Sequence, residues 1–154
     1  MNNFKLVDKL IEKNYRICTA ESCTGGMLSS LIVDVPNASG VMDMSFVTYA
    51  NSAKTDLLGV DEKNISEYGV VSEAVAGQMA KGAAEKSGAN VGVGISGIAG
   101  PGGGSDKKPV GTVCFGFYVE GDLVTKTCRF GDIGRNEVRK KSCEFAIDTL
   151  LSLL

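Results

Sequence analysis

The chain has 154 residues, a length that suits one domain with a real core over residues 1–154, and its 16 Lys and Arg against 18 Asp and Glu leave a formal charge of -2. No basic run exceeds Arg139-Lys140-Lys141, which excludes the electrostatic footprint of a nucleic-acid binder. Histidine is absent and the 5 cysteines form no C-x-x-C pair, which argues against a zinc site or a disulfide framework and for reduced thiols in a cytoplasmic protein.

Met1 to Lys5 carries no apolar leader, and nowhere do about 18 apolar residues run together as a membrane helix requires, so neither export nor membrane contact is expected. Phe4, Val7, Leu10 and Ile11 predict a helix from Asn3 to about Asn14, followed by a short buried strand from Arg16 to Ala20. Met27, Leu28, Leu31 and Ile32 predict a helix from Gly25 to about Val33, stopped near Pro36. Alternation through Met42, Met44, Phe46 and Thr48 reads as a strand from Val41 to Ala50. Asn51 or Ser52 suits the cap of a short helix through Leu58. Ser72 suits that of a longer one through about Lys86, with Val75, Met79, Ala80 and Ala83 as its stripe.

Val91 to Ser96 is then a strand, running into a loop with five glycines among the eight residues from Gly97 to Gly104. Thr112 to Val119 and Leu123 to Phe130 predict a hairpin across Glu120-Gly121-Asp122, and Arg135 to Leu154 a closing amphipathic helix on Val138, Phe145, Ile147, Leu150 and Leu154. Helices that alternate with strands, and a late hairpin, predict a three-layer α/β/α domain with a mixed sheet.

The chemistry concentrates in Glu21-Ser22-Cys23-Thr24-Gly25-Gly26, where a serine precedes paired glycines on a strand-to-helix turn. Ser22 is either a helix cap or a nucleophile, and the amides that start a helix have no intrahelical partner and suit an anion. Without histidine, a nucleophilic serine needs another base, for which lysine is the usual substitute. Lys54 lies just past the second strand, as a solvated side chain or as that base. As a base near neutral pH its pKa must fall from about 10.4 to about 7 or 8, at a cost of ~4 kcal/mol against the charged form. Tyr49 is a rim residue of the core or a proton relay, and Cys23 a rival nucleophile or a small core residue. The loop from Ser96 to Ser105, with Gly100 at its centre, is a mobile turn or a backbone nest for an anion, and it lacks the Gly-Lys-Ser/Thr ending of a Walker loop. Arg135 and Arg139, one helical turn apart, are a solvated face or a phosphate clamp.

The set Glu21-Ser22-Cys23-Thr24-Gly25-Gly26, Val47-Thr48-Tyr49-Ala50-Asn51 with Lys54, Gly69 to Glu73, Ser96 to Pro101 and Lys108 to Thr112 resembles the CinA C-terminal domain family in its stand-alone form, over about residues 4 to 152. The resemblance implies hydrolysis of the carboxamide of nicotinamide mononucleotide, with Ser22 as nucleophile, Lys54 as base, Tyr49 beside them and Ser96 as a substrate or proton-network contact. It implies no metal or organic cofactor, and a homodimer or higher homo-oligomer for which the apolar last helix offers a surface. Thr24, Gly25 and Gly26 are the expected oxyanion amides, and Gly100 and Ser105 with Arg135 or Arg139, and Ser39, the expected phosphate contacts. Where many relatives read Gly-Asp-Arg, this chain has Gly131-Asp132-Ile133-Gly134-Arg135, so either arginine fits the family position. The alternative reading is a non-catalytic nucleotide-binding regulatory module. The DNA role suggested by the family's competence-related name fits poorly with the charge of -2.

Overall fold

A computed structural model describes residues 1–154. The strands β1 (Ile17–Glu21), β2 (Phe46–Val47), β3 (Val91–Gly97), β4 (Thr112–Val119) and β5 (Asp122–Arg129) form one mixed sheet in the order β2-β1-β3-β4-β5. β1 runs parallel to β2 and β3, while β3, β4 and β5 are antiparallel in turn. The hairpin between β4 and β5 closes over Glu120 and Gly121, with φ of 48° and 93°, the left-handed pair that matches strand twist.

Helices α1 (Asn3–Lys13), α2 (Met27–Val33) and α6 (Arg135–Leu153) cover one face of the sheet. There Leu6, Leu10, Leu28, Ile32, Val138, Ile147 and Leu150 bury against Ile17, Val93, Ile95, Val113 and Phe115, each large aliphatic contributing about 1.5–3 kcal/mol. The other face carries α3 (Asn51–Leu58), α4 (Glu62–Tyr68) and α5 (Glu73–Ser87), with Val75, Met79 and Ala83 of α5 against Cys18 and Ala20. These layers are the expected three-layer α/β/α arrangement. No helix is long and apolar enough to cross a membrane.

Glycine decides how close α5 comes. A methyl at Gly94 would lie 2.2 Å from the Ala76 carbonyl oxygen, and one at Gly92 2.0 Å from that of Ala80, so the helix backbone rests directly on the strand. Overpacking of this kind costs about 1–3 kcal/mol. Gly94→Ala should therefore lower stability to urea by about 2 kcal/mol or more, whereas Gly40→Ala, with nothing within 4 Å, should be near neutral. Equal melts for the two variants would show that α5 moves without cost.

Several elements differ from their expected form. The strand from Val41 to Ala50 shrinks to Phe46–Val47, because only Phe46 and Val47 find a register on β1. Phe4 and Ile11 are 55% and 46% exposed, since α1 turns Leu6, Val7 and Leu10 inward instead. α4 has no counterpart among the expected helices. Ser72 does cap α5, its Oγ accepting from Val75 N at 3.2 Å. Val138, Ile147 and Leu150 of α6 are spent on the chain's own core, whereas Phe145 and Leu154 of the same stripe are half-buried.

Candidate active site

The chain leaves β1 outward to β2 on one side and returns to β3 on the other, so the carboxyl ends of three parallel strands meet where the order reverses, the usual ligand crevice of an open α/β sheet. Ser22 follows β1, Lys54 lies in the first turn of the helix after β2, and Ser96 is next to the last residue of β3.

Ser22 donates its N–H to the Ile95 carbonyl at 3.0 Å, which anchors the turn to β3. Gly25 and Gly26 take φ of 58° and 99°, values that a side chain would resist. The turn thereby folds back on itself, Gly25 donating to Ser22 O at 3.1 Å before α2 begins. Capping of α2 falls to Glu21, not to Ser22. Its fully buried carboxylate accepts from Leu28 N at 2.9 Å, Ser29 N at 3.0 Å and Thr19 Oγ1 at 2.9 Å. A negative charge so placed also meets the positive end of the helix dipole.

Freed from capping, the Ser22 hydroxyl faces Lys54 Nζ at 3.1 Å. That ammonium is enclosed, with 0% of the residue exposed, and it also donates to the carbonyls of Thr48 at 2.7 Å and Tyr49 at 3.2 Å. No carboxylate offsets the burial, which pulls the Lys54 pKa below its ordinary value of 10.5. The Thr48 and Tyr49 carbonyls take two of its N–H groups, and a third is donated to Ser22 Oγ. Cys23 is 6% exposed, and burial pushes its thiol up to about 11, against a smaller opposite pull from Arg139. It is a protonated core thiol rather than a nucleophile.

Around this pair, the N–H groups of Cys23, Thr24 and Gly26 meet no protein acceptor. The buried hydroxyls of Thr24 and Thr48 are likewise without partners, unusual in a packed interior. Ser96 is 1% exposed and spends its proton on the Val70 carbonyl at 2.8 Å. Tyr49 contributes its backbone to Lys54, whereas its ring is 64% exposed and its hydroxyl accepts from Arg135 at 3.1 Å. Arg135 also donates to the Gly100 carbonyl at 2.7 Å, tying the glycine loop to the rim. Ser105 accepts from Lys108 N at 3.1 Å, a bond internal to that loop.

Two expected phosphate contacts are placed differently, Arg139 behind the serine turn and Ser39 away from it. Arg139 donates to the carbonyls of Cys23 and Thr24 and does not present a free fork to a phosphate. Ser39 stands at the opposite end of the sheet, beside Arg16 at the start of β1, because α2 carries the chain back there. It lines a separate concavity of about 430 Å³ with Val35, Pro36 and Met42. Sequence reasoning missed the cap made by Glu21 and the backbone clamp made by Arg139. The first had a signal in the glutamate that opens the motif, the second had none.

A family model described as CinA C-terminal domain matches residues 3–154. A nicotinamide-nucleotide amidohydrolase PncC from Enterobacter agglomerans is 47% identical over 141 residues, covering 90% of this chain and 85% of that protein. A CinA-like protein from Akkermansia muciniphila is 46% identical over 95% of the chain, which spans only 35% of that longer protein. Among solved structures, a CinA superfamily protein from Escherichia coli superposes with a TM-score of 0.95 at 37% identity, covering 99% of this chain and 88% of that one. The competence/damage inducible protein CihA from Agrobacterium tumefaciens gives 0.93 at 40% identity, covering 99% and 96%.

Proposed function

The chain belongs to the CinA C-terminal domain family, and on that premise we propose that it is a nicotinamide-nucleotide amidase, converting nicotinamide mononucleotide and water to nicotinic acid mononucleotide and ammonia. The observation that carries the proposal is the 3.1 Å contact between Ser22 Oγ and a Lys54 amine buried without a counter-ion. A serine that merely capped α2 would bond to the helix amides, which Glu21 already holds. This favours the enzyme over a non-catalytic nucleotide-binding module.

In the proposed reaction, neutral Lys54 takes the hydroxyl proton as Ser22 Oγ attacks the carboxamide carbon. The carbonyl oxygen becomes an oxyanion and settles on the turn amides that lack acceptors, a term worth about 10²–10³ in rate for each donor lost. Protonated Lys54 then gives its proton to the departing nitrogen, ammonia leaves and a nicotinoyl ester remains on Ser22. Lys54 next takes a proton from water as it attacks the ester and returns that proton to Ser22 Oγ as the C–O bond breaks, which releases the acid and restores the serine. The scheme needs no metal or organic cofactor.

For the phosphate, the reading rests on Arg135 with the loop from Gly100 to Ser105, since Arg135 already sits between that loop and Tyr49 at the mouth of the site. A homodimer or higher assembly would use surface such as Val47 and Tyr49, 53% and 64% exposed on the edge-strand side. We place the reaction in the cytoplasm, where the five free thiols stay reduced.

Ammonia release from nicotinamide mononucleotide, followed with the appearance of the acid product, tests the proposal. Binding without turnover would instead select the regulatory module. Arg135→Ala should raise KM about 10- to 100-fold with little change in kcat, as expected for one lost charged hydrogen-bond partner. An unchanged KM would remove Arg135 from the phosphate site.

A further inference from the structure

Resting on the amidase reading, we infer that Arg139 is a positioning residue that sets the peptide planes of the oxyanion turn from behind, without touching substrate. Its side chain reaches from the second turn of α6 to the Cys23 carbonyl at 2.9 Å through Nε and to the Thr24 carbonyl at 3.1 Å through a terminal nitrogen. The other terminal nitrogen donates to Asn136 Oδ1 at 3.1 Å. A guanidinium committed along its whole fork has its plane and position defined.

Peptide geometry converts those two bonds into an aim for the amides. In a planar trans peptide the C=O and the following N–H point in opposite directions. Holding the Cys23 carbonyl toward α6 therefore turns the Thr24 N–H away from α6. Holding the Thr24 carbonyl likewise turns the Gly25 N–H back, where it donates to Ser22 O at 3.1 Å. That bond fixes the Ser22 carbonyl and, through the next peptide plane, the N–H of Cys23. The turn thus keeps the amides of Cys23 and Thr24 without protein acceptors and in a defined direction. The Thr24 carbonyl is shared with Met27 N at 3.0 Å, so the Cys23 carbonyl is the one that depends on the guanidinium, in a turn whose two glycines lie in the left-handed region. Arg135, four residues earlier, faces the rim instead, so the two arginines divide the labour that one clamp would have shared.

The test compares Arg139→Lys and Arg139→Met with wild type in nicotinamide mononucleotide hydrolysis, with titration of the acid product as a measure of binding. The expected result is a fall in kcat of about 10²-fold in the methionine variant, partial recovery in the lysine variant, and KM and product affinity within about twofold of wild type. A tenfold loss of product affinity would make Arg139 a ligand contact, and an unchanged kcat would show that the turn needs no clamp; either result overturns the inference. Amide ¹⁵N–¹H spectra of the same variants separate this from the amidase reading. Signals of Cys23, Thr24 and Gly25 should shift while those of α5 stay in place, whether or not the wild type releases ammonia. If the wild type releases no ammonia, the amidase reading fails, and unmoved turn signals would then overturn the positioning role on their own.

Discussion

Ser22→Ala is expected to abolish ammonia release from nicotinamide mononucleotide, with kcat lowered roughly 10⁴-fold or more, as when a nucleophile is removed from a serine hydrolase. Substrate affinity and thermal stability should stay close to wild type. The reason lies in the bonds the hydroxyl makes: it meets Lys54 Nζ and takes no part in capping α2, so its loss leaves the anchor from Ser22 N to Ile95 O and the cap by Glu21 intact. Quenching the wild-type reaction with acid should reveal a protein heavier by the mass of the substrate less ammonia, and the alanine variant should show none. Wild-type turnover by Ser22→Ala would end the serine mechanism, because Cys23, protonated and buried, offers no substitute.

Lys54→Met is the second test, with two separable readouts. Activity should fall by roughly 10³-fold or more, since the variant keeps the stem volume and loses the base. Lys54→Arg should fail as well, because a guanidinium stays protonated at any working pH. In the wild type kcat should rise with pH as Lys54 loses its proton and level off above its lowered pKa. Stability follows the same group with a definite sign. Burial lowers the Lys54 pKa in the folded chain below the ordinary 10.5, so between the two values the unfolded chain binds more protons. Its share of stability is complete above the unfolded pKa and declines as pH falls toward the folded one. Urea melts at about pH 6 and about pH 9 should therefore show the wild type gaining more stability at the higher pH than Lys54→Met does. Parallel pH dependence in the two proteins would mean that Lys54 remains a solvated cation.

Much of this architecture is legible in local patterns. Ser72 and the stripe Val75, Met79, Ala80 and Ala83 define α5, and the hairpin is readable from two apolar runs around Glu120-Gly121. α4 is not, because it buries no residue and so has no apolar stripe to betray it. The reading of residues 41–50 as a strand failed for a related reason. Alternation marks residues able to lie in a sheet, whereas a ladder also needs partners, and β1 offers them only to Phe46 and Val47.

The candidate site divides in the same way. Composition without histidine turned attention from Ser22 to a lysine, and the motif around each residue was visible as a string of letters. That their side chains meet is a property of the strand order, in which β1 stands between β2 and β3 and brings the ends of all three together. The choice between cap and nucleophile for Ser22 depended on whether another group held the α2 amides, and Glu21 does so across seven and eight residues. The choice between Arg135 and Arg139 depended on contacts across 86 to 116 residues, and the distance of Ser39 from the pair on the direction in which α2 leaves the turn. By itself, then, the sequence determined the elements with strong periodicity, the family and the candidate residues of the proposed site. Only the tertiary structure decided their bonds, because periodicity records which face of an element is buried, while a hydrogen-bond partner is chosen by how separate elements pack.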